Sequence, residues 1–163
     1  MLRIAFLALL VVCYASAADW GPLQFLVGDW TGGGGGGPGQ GGGDFSFTPD
    51  LQGKILVRRS FADYPATKEK PAYRHDDLMI VYRESPTADL RADFYDNEGH
   101  VIRYLVQPSS DKQIVFVTPP GAPGPRFRLT YKSAGPDQLA GKFEIAPPGK
   151  DFATYLEWTA RRK

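Results

Sequence analysis

Leu90-Arg91-Ala92-Asp93-Phe94, then Asp96-Asn97-Glu98-Gly99, then Val101-Ile102-Arg103-Tyr104-Leu105-Val106 carries the clearest structural pattern in this chain. From Leu90 to Phe94 the apolar side chains fall on even positions, the period of a strand with one dry face. Asp96 to Gly99 is hairpin-turn chemistry, because Asn and Gly tolerate positive φ. The return strand buries even positions again: Ile102, Tyr104 and Val106 share a face, and His100 stands at its head. This unit is an antiparallel hairpin.

Read outward from the hairpin, the chain repeats the theme. Ile55-Leu56-Val57 and Leu78-Met79-Ile80-Val81-Tyr82 precede it, and Ile114 to Val117, ended by Pro119-Pro120, follows. Phe127, Leu129 and Tyr131 alternate with Arg126, Arg128, Thr130 and Lys132. Ala134-Gly135-Pro136-Asp137 turns the chain into Leu139, Gly141, Phe143 and Ile145. The last strand sets Phe152, Leu156, Trp158 and Ala160 against Tyr155, Glu157 and Arg161. With the segments near Trp30 and Phe45-Ser46-Phe47 there are nine or ten strands. Helical periodicity is absent past the N-terminal leader, apart from one short turn at Pro22 to Leu26. Strands without covering helices close most economically on themselves, which removes their edges. The expected fold is all-β: a single antiparallel barrel of about 8–10 strands, with a two-sheet sandwich as the alternative.

Met1 to Ala17 reads as a secretory signal peptide, with Arg3, an apolar run from Ile4 to Val12, and an Ala15-Ser16-Ala17 cleavage site. Export to the periplasm or the extracellular space follows, with residues 18–163 as one domain. Cys13 raises a lipoprotein reading, but Val12 is branched where a lipoprotein signal takes a small residue. Cleavage after Ala17 leaves no cysteine, hence no disulfide and no thiol chemistry. The chain carries 19 Lys+Arg against 18 Asp+Glu, so the loss of Arg3 leaves the mature protein formally neutral. A neutral surface excludes a counterion-release nucleic-acid binder. No second apolar run is long enough to span a bilayer. Between Gly32 and Gly43 only Pro38 and Gln40 interrupt glycine, which predicts a flexible loop over 32–43. The G-x-G-x-x-G match inside that run is guaranteed by composition and carries no phosphate-binding meaning.

Phe25-Leu26-Val27-Gly28-Asp29-Trp30 contains the G-x-W pattern that opens the first strand of calycin barrels, and the chain resembles that superfamily of lipocalins and fatty-acid-binding proteins. The resemblance extends as pattern over most of the mature chain, through F-Y-D-N-E-G-H, F-E-I-A-P-P-G and a terminal R-R. It is similar to exported bacterial lipocalin-like domains. The likeness implies that Trp30 plugs one barrel end and that an arginine of the last strand, Arg162 by period two, packs across it. A related branch, the nitrobindin-like barrels, binds haem through a late-strand histidine. No histidine follows His100 here, so that ligand is missing, and no cofactor is expected.

His75 and His100 are the only histidines. His75 and Asp77 share a strand face and form a pair of potential metal ligands, against the alternative of a solvated strand start; no metal site is expected. No Ser stands in a G-x-S-x-G elbow. Asp93, Glu144 and Glu157 are scattered along alternating strands, the usual position of outward charge. The aromatic complement, 13% of residues, either fills the barrel or lines a pocket. The expected function is an exported binding protein for a small, mainly apolar or amphipathic molecule. Its candidate cavity residues are Arg58, Arg59, Tyr82, His100, Arg103, Tyr104 and Tyr131, with Arg and Tyr at the mouth orienting a carboxylate or similar head group. The alternatives are a small isomerase or hydrolase using His100 or an inward carboxylate, and a filled barrel that acts through its surface.

Overall fold

The computed structural model describes residues 19–163; the proposed leader 1–17 lies outside them. Ten strands follow one another: β1 (Gly28–Gly36), β2 (Gly41–Asp50), β3 (Ile55–Tyr64), β4 (Tyr73–Tyr82), β5 (Arg91–Asp96), β6 (Val101–Ser110), β7 (Gln113–Val117), β8 (Arg126–Gly135), β9 (Gln138–Ala146) and β10 (Ala153–Arg162). Each pairs antiparallel with its neighbours in sequence, and β1 pairs with β10 to close the barrel. The expected hairpin is β5–β6, in which Phe94 faces Ile102 and Ala92 faces Tyr104. A short 3-10 turn spans Gly21–Leu26, one residue earlier than the sequence suggests.

Alternation divides the barrel wall. Arg58, Met79, Val81, Ala92, Tyr104, Phe116, Leu129 and Tyr131 point inward and are buried. One end is closed. Leu23 and Leu26 of the 3-10 turn are fully buried there, beside Trp30, Leu56, Val81 and Leu139. Burying each of those two leucines contributes about 1.5–3 kcal/mol. Trp30 Nε1 donates to Leu26 O at 2.8 Å, so the indole holds the turn as a plug. Arg162 lies opposite Trp30 in the β1–β10 register, with its guanidinium 4.2 Å from the ring centroid. That guanidinium also donates to Val27 O at 2.7 Å and Phe25 O at 3.4 Å.

The glycine run is not a loop. Gly32–Gly36 completes β1, Gly41–Gly43 opens β2, and only Gly37–Gln40 turns between them. Glycine has no side chain to alternate, so strand character there leaves no trace in the sequence, while ladder bonds on both sides hold the backbone extended. The absence of a Cβ is used at Gly43, where one would collide with the Phe61 carbonyl across the β2–β3 pair, and at Gly34, where one would collide with Trp158.

Candidate functional site

Away from the plug, the inward residues do not meet, and the open half of the barrel encloses a cavity of about 380 Å³. That volume lies within the range of small-molecule sites. The turns β1–β2, β3–β4 and β5–β6 ring its mouth. Its two walls differ in chemistry. Strands β8, β9 and β10 present Phe127, Leu129, Phe143, Ile145, Leu156 and Trp158. Across from them, β3, β4 and β5 and the β5–β6 turn present Arg58, Ser60, His75, Asp77, Asp96, Glu98 and His100. The glycine hairpin forms a thin wall between the two faces, and the Tyr64 ring lies where a Cβ of Gly41 would be.

The polar wall is a ladder that descends from mouth to floor. Near the mouth His75 Nδ1 meets Glu98 Oε1 at 3.0 Å, and His75 Nε2 lies 3.7 Å from Asp77 Oδ2. Beside it His100 Nδ1 meets Asp96 Oδ2 at 2.8 Å, and Asp96 Oδ1 accepts from the backbone N–H groups of His100 and Glu98 at 2.8 and 3.0 Å. Burial penalises the Asp96 charge, but the hydrogen bonds from His100 and Glu98 outweigh it and hold this carboxyl below its usual range. One step deeper than His75, and level with Asp96 in the β4–β5 register, Asp77 forms an ion pair with Arg58, and both side chains are under 10% exposed. Burial pushes the Asp77 carboxyl up, and the attraction of Arg58 offsets only part of that. Arg58 Nη2 donates to Ser60 Oγ at 3.0 Å.

At the floor the polar complement is incomplete. Arg58 Nε and Tyr131 Oη are buried without a hydrogen-bond partner. The Arg58 charge reaches Tyr131 and favours its phenolate, yet burial dominates and pushes that hydroxyl up to about 12. Tyr104 lines the cavity at the same depth, and burial raises its hydroxyl further still. Buried polar atoms are nearly always paired; these two lie beside each other, Arg58 on the cavity lining and Tyr131 behind it.

The structure brings together Arg58, His100 and Tyr104 of the candidate residues as cavity lining, with Tyr131 beneath them. Arg59, Tyr82 and Arg103 do not face the cavity. Period two turns each outward, because Arg58, Val81, and Ile102 with Tyr104 take the inward positions beside them. On the outer face Tyr82 Oη donates to Asp93 Oδ2 at 3.3 Å, and Arg103 lies opposite Asp93 in the β5–β6 register. Glu144 is also outward, covered by Arg128 through bonds of 2.6 and 2.8 Å. His75 and Asp77 were missed as a cavity pair, since β4 starts at Tyr73 rather than near Leu78. Their signal is parity: the buried positions Met79 and Val81 run back through Asp77 and His75. Among the described residues no group of three or more His, Cys, Asp or Glu is placed to hold a metal ion. Two wider depressions, about 590 and 930 Å³, are open saddles of the outer sheet surface, lined mostly by outward-facing residues.

No family model matches the chain, and no curated protein matches it. Among solved structures, the S-type phycobiliprotein lyase CPES from Guillardia theta aligns over 91% of this chain and 94% of its own, at 12% identity and a TM-score of 0.54. A de novo designed fluorescence-activating β-barrel aligns over 89% of this chain and 100% of its own, at 12% identity and a TM-score of 0.46. The likeness to the lyase is one of fold alone.

Proposed function

We propose that this chain is an exported binding protein whose barrel holds a small, mainly apolar molecule bearing one polar acceptor. The observation that carries the reading is the cavity of about 380 Å³, apolar along β8–β10, with the buried Arg58 at its inner end and Arg58 Nε short of a well-formed hydrogen bond. An orphaned donor there costs about 1–3 kcal/mol, so a carbonyl, ether or hydroxyl oxygen that accepts from it recovers free energy the empty barrel forgoes. The Phe127–Phe143 stack, 5.9 Å between centroids, and Trp158 supply the apolar surface. The carboxylate head group expected from the sequence fits poorly, because Asp77 already neutralises Arg58. The solved lyase that shares the fold is named for bilin-bearing proteins, which agrees with a barrel used to hold a small molecule.

Native mass spectrometry and an absorbance spectrum on protein purified gently from an exporting host test this directly. The expected result is a defined extra mass and a melting temperature that falls when the molecule is stripped, since ligand binding stabilises the folded state. A bare mass, together with no thermal shift across a broad lipid and metabolite panel, would sink the reading. A Soret band would identify haem instead. The intact mass also reads the N-terminus: a mature chain beginning at Ala18 supports export, and a retained Met1 in an exporting host refutes it.

One observation favours a second reading, an acid–base enzyme in the same cavity: the raised Asp77 carboxyl stands beside His75. It requires Asp77 to take a proton from the bound molecule and return it at another carbon, with no co-reactant. Deuterium uptake from D₂O into the bound molecule, abolished in Asp77→Asn, is the expected result; no uptake removes this reading.

A further inference from the structure

We propose that the mouth of this cavity selects an organic cation, a lipophilic ammonium rather than a fatty acid; this rests on the ligand-binding reading above. The charge inventory of the lining is one arginine, Arg58, against three carboxylates, Asp77, Asp96 and Glu98, with two histidines and no lysine. With neutral imidazoles the lining carries a formal charge of −2, and it stays at −1 if Asp77 is protonated. The single cation is buried and is committed to Asp77 and Ser60. Of the carboxylates, Glu98 is half exposed at the mouth, where an entering head group meets it first, while Asp96 and Asp77 lie level with each other and buried below it. A cleft with low-dielectric walls and one sign of charge concentrates the opposite sign.

The aromatic rim points the same way. Tyr64 and Tyr73 stack at the mouth, 4.7 Å between centroids and 9° from parallel, and Tyr155 lines the same opening. Faces of electron-rich rings beside carboxylates form the environment that quaternary ammonium groups prefer. Arg58, buried at the inner end with its charge already offset by Asp77, asks the occupant for a neutral acceptor there. The occupant that satisfies both ends is a cation at the mouth, an apolar body along β8–β10, and an acceptor near Arg58.

Three tail-matched probes test the mouth alone: decyltrimethylammonium, decanol and decanoate, each titrated calorimetrically into the ligand-free protein below its critical micelle concentration. Salt near 0.15 M screens exposed surface charge to a Debye length of about 8 Å, so the lining dominates the difference. The expected order is cation at least tenfold tighter than alcohol, with decanoate weakest and the cation displacing decanol. In Glu98→Gln, which keeps a hydrogen-bonding group beside His75, the cation-to-alcohol affinity ratio falls several-fold. Decanoate binding as well as the cation, or a ratio unchanged in Glu98→Gln, overturns the proposal. Alcohol binding with no cation preference overturns it too, while leaving the ligand-binding reading intact. Failure of all three probes overturns the proposal, and the mass-spectrometric test above decides the ligand-binding reading on its own.

Discussion

Replacing Arg58 by Met tests the polar wall most directly. Arg58→Met removes the arginine counter-charge of Asp77, whose side chain is 6% exposed, and leaves the methionine volume in place. Breaking a buried pair from one side costs about 3–5 kcal/mol, because an uncompensated charge remains in a low-dielectric site. For a domain of this size that corresponds to a drop in melting temperature of roughly 10–15 °C. Removing both partners, in Arg58→Met with Asp77→Leu, leaves neither charge of the pair uncompensated, and such apolar replacements are neutral or stabilising by about 1–4 kcal/mol. The sign with pH is defined. Burial already raises the Asp77 carboxyl above its ordinary 3.8, and loss of Arg58 raises it further. The folded state then holds a proton that the unfolded chain releases, so stability is greatest at acid pH and declines as pH rises from about 4 until Asp77 ionises in the folded barrel. Urea unfolding at pH 5 and pH 8, followed by tryptophan fluorescence, measures the effect. If the single variant is no less stable than the double variant at pH 8, the pair is not the buried couple described here.

Arg162→Ala removes the cation over Trp30 and the donor to Val27 O, and is expected to cost about 2–3 kcal/mol in urea unfolding; a loss under about 0.5 kcal/mol would show that the plug holds without it. Tyr131→Phe deletes a buried hydroxyl without a partner and should raise the stability of the empty barrel by up to about 1 kcal/mol while weakening the natural ligand. Both changes in the same direction would contradict that account. Gly141→Ala places a methyl group against the Trp158 indole, a collision expected to cost about 1–3 kcal/mol and to be relieved by Trp158→Leu; additive losses in the pair would refute the contact. Burial pushes the hydroxyls of Tyr64 and Tyr131 up to about 12. Because the folded values exceed the unfolded value of 10, the stability they contribute is intact below pH 10 and is lost as pH climbs toward 12. Absorbance at 295 nm and far-UV circular dichroism should therefore change together in that window, and complete tyrosine titration near pH 10 in a folded barrel would count against it.

Antiparallel closure was legible from β5–β6 because its apolar residues alternate without interruption. The reading weakened wherever inward positions are not apolar. In β4 the inward series begins Tyr73, His75 and Asp77, so its upper half reads equally as a solvated strand start. The cavity wall was hidden by its own chemistry, since a strand that lines a polar site reverses the usual relation between polarity and face. Phe152 shows a different limit. A register shift between Thr154 and Leu156 breaks the two-residue period, and Phe152 packs outside, with the Arg126 and Arg128 guanidinium groups 4.9 and 4.3 Å from its ring centroid. Arg59 and Arg103 were chosen for residue type, and strand parity alone separates them from Arg58. Trp30 and Arg162 meet because they occupy the two ends of a closed meander, where a motif at one terminus and a basic residue at the other are paired by topology.

The hairpin between β1 and β2 has a consequence for how this barrel tolerates change. In an ordinary strand a slip by one residue sends every side chain to the wrong face and is heavily penalised. Gly32–Gly36 and Gly41–Gly43 have no side chains to misplace, so the residues below them record the alignment: Trp30, Phe45 and Phe47 inside, and the Thr31–Asp44 hydrogen bond outside. Lengthening or shortening both arms by one glycine leaves that record intact and moves only the height of the rim. The wall is thus adjustable at one seam, and the depth of the vessel can be retuned there without rewriting the core beneath it.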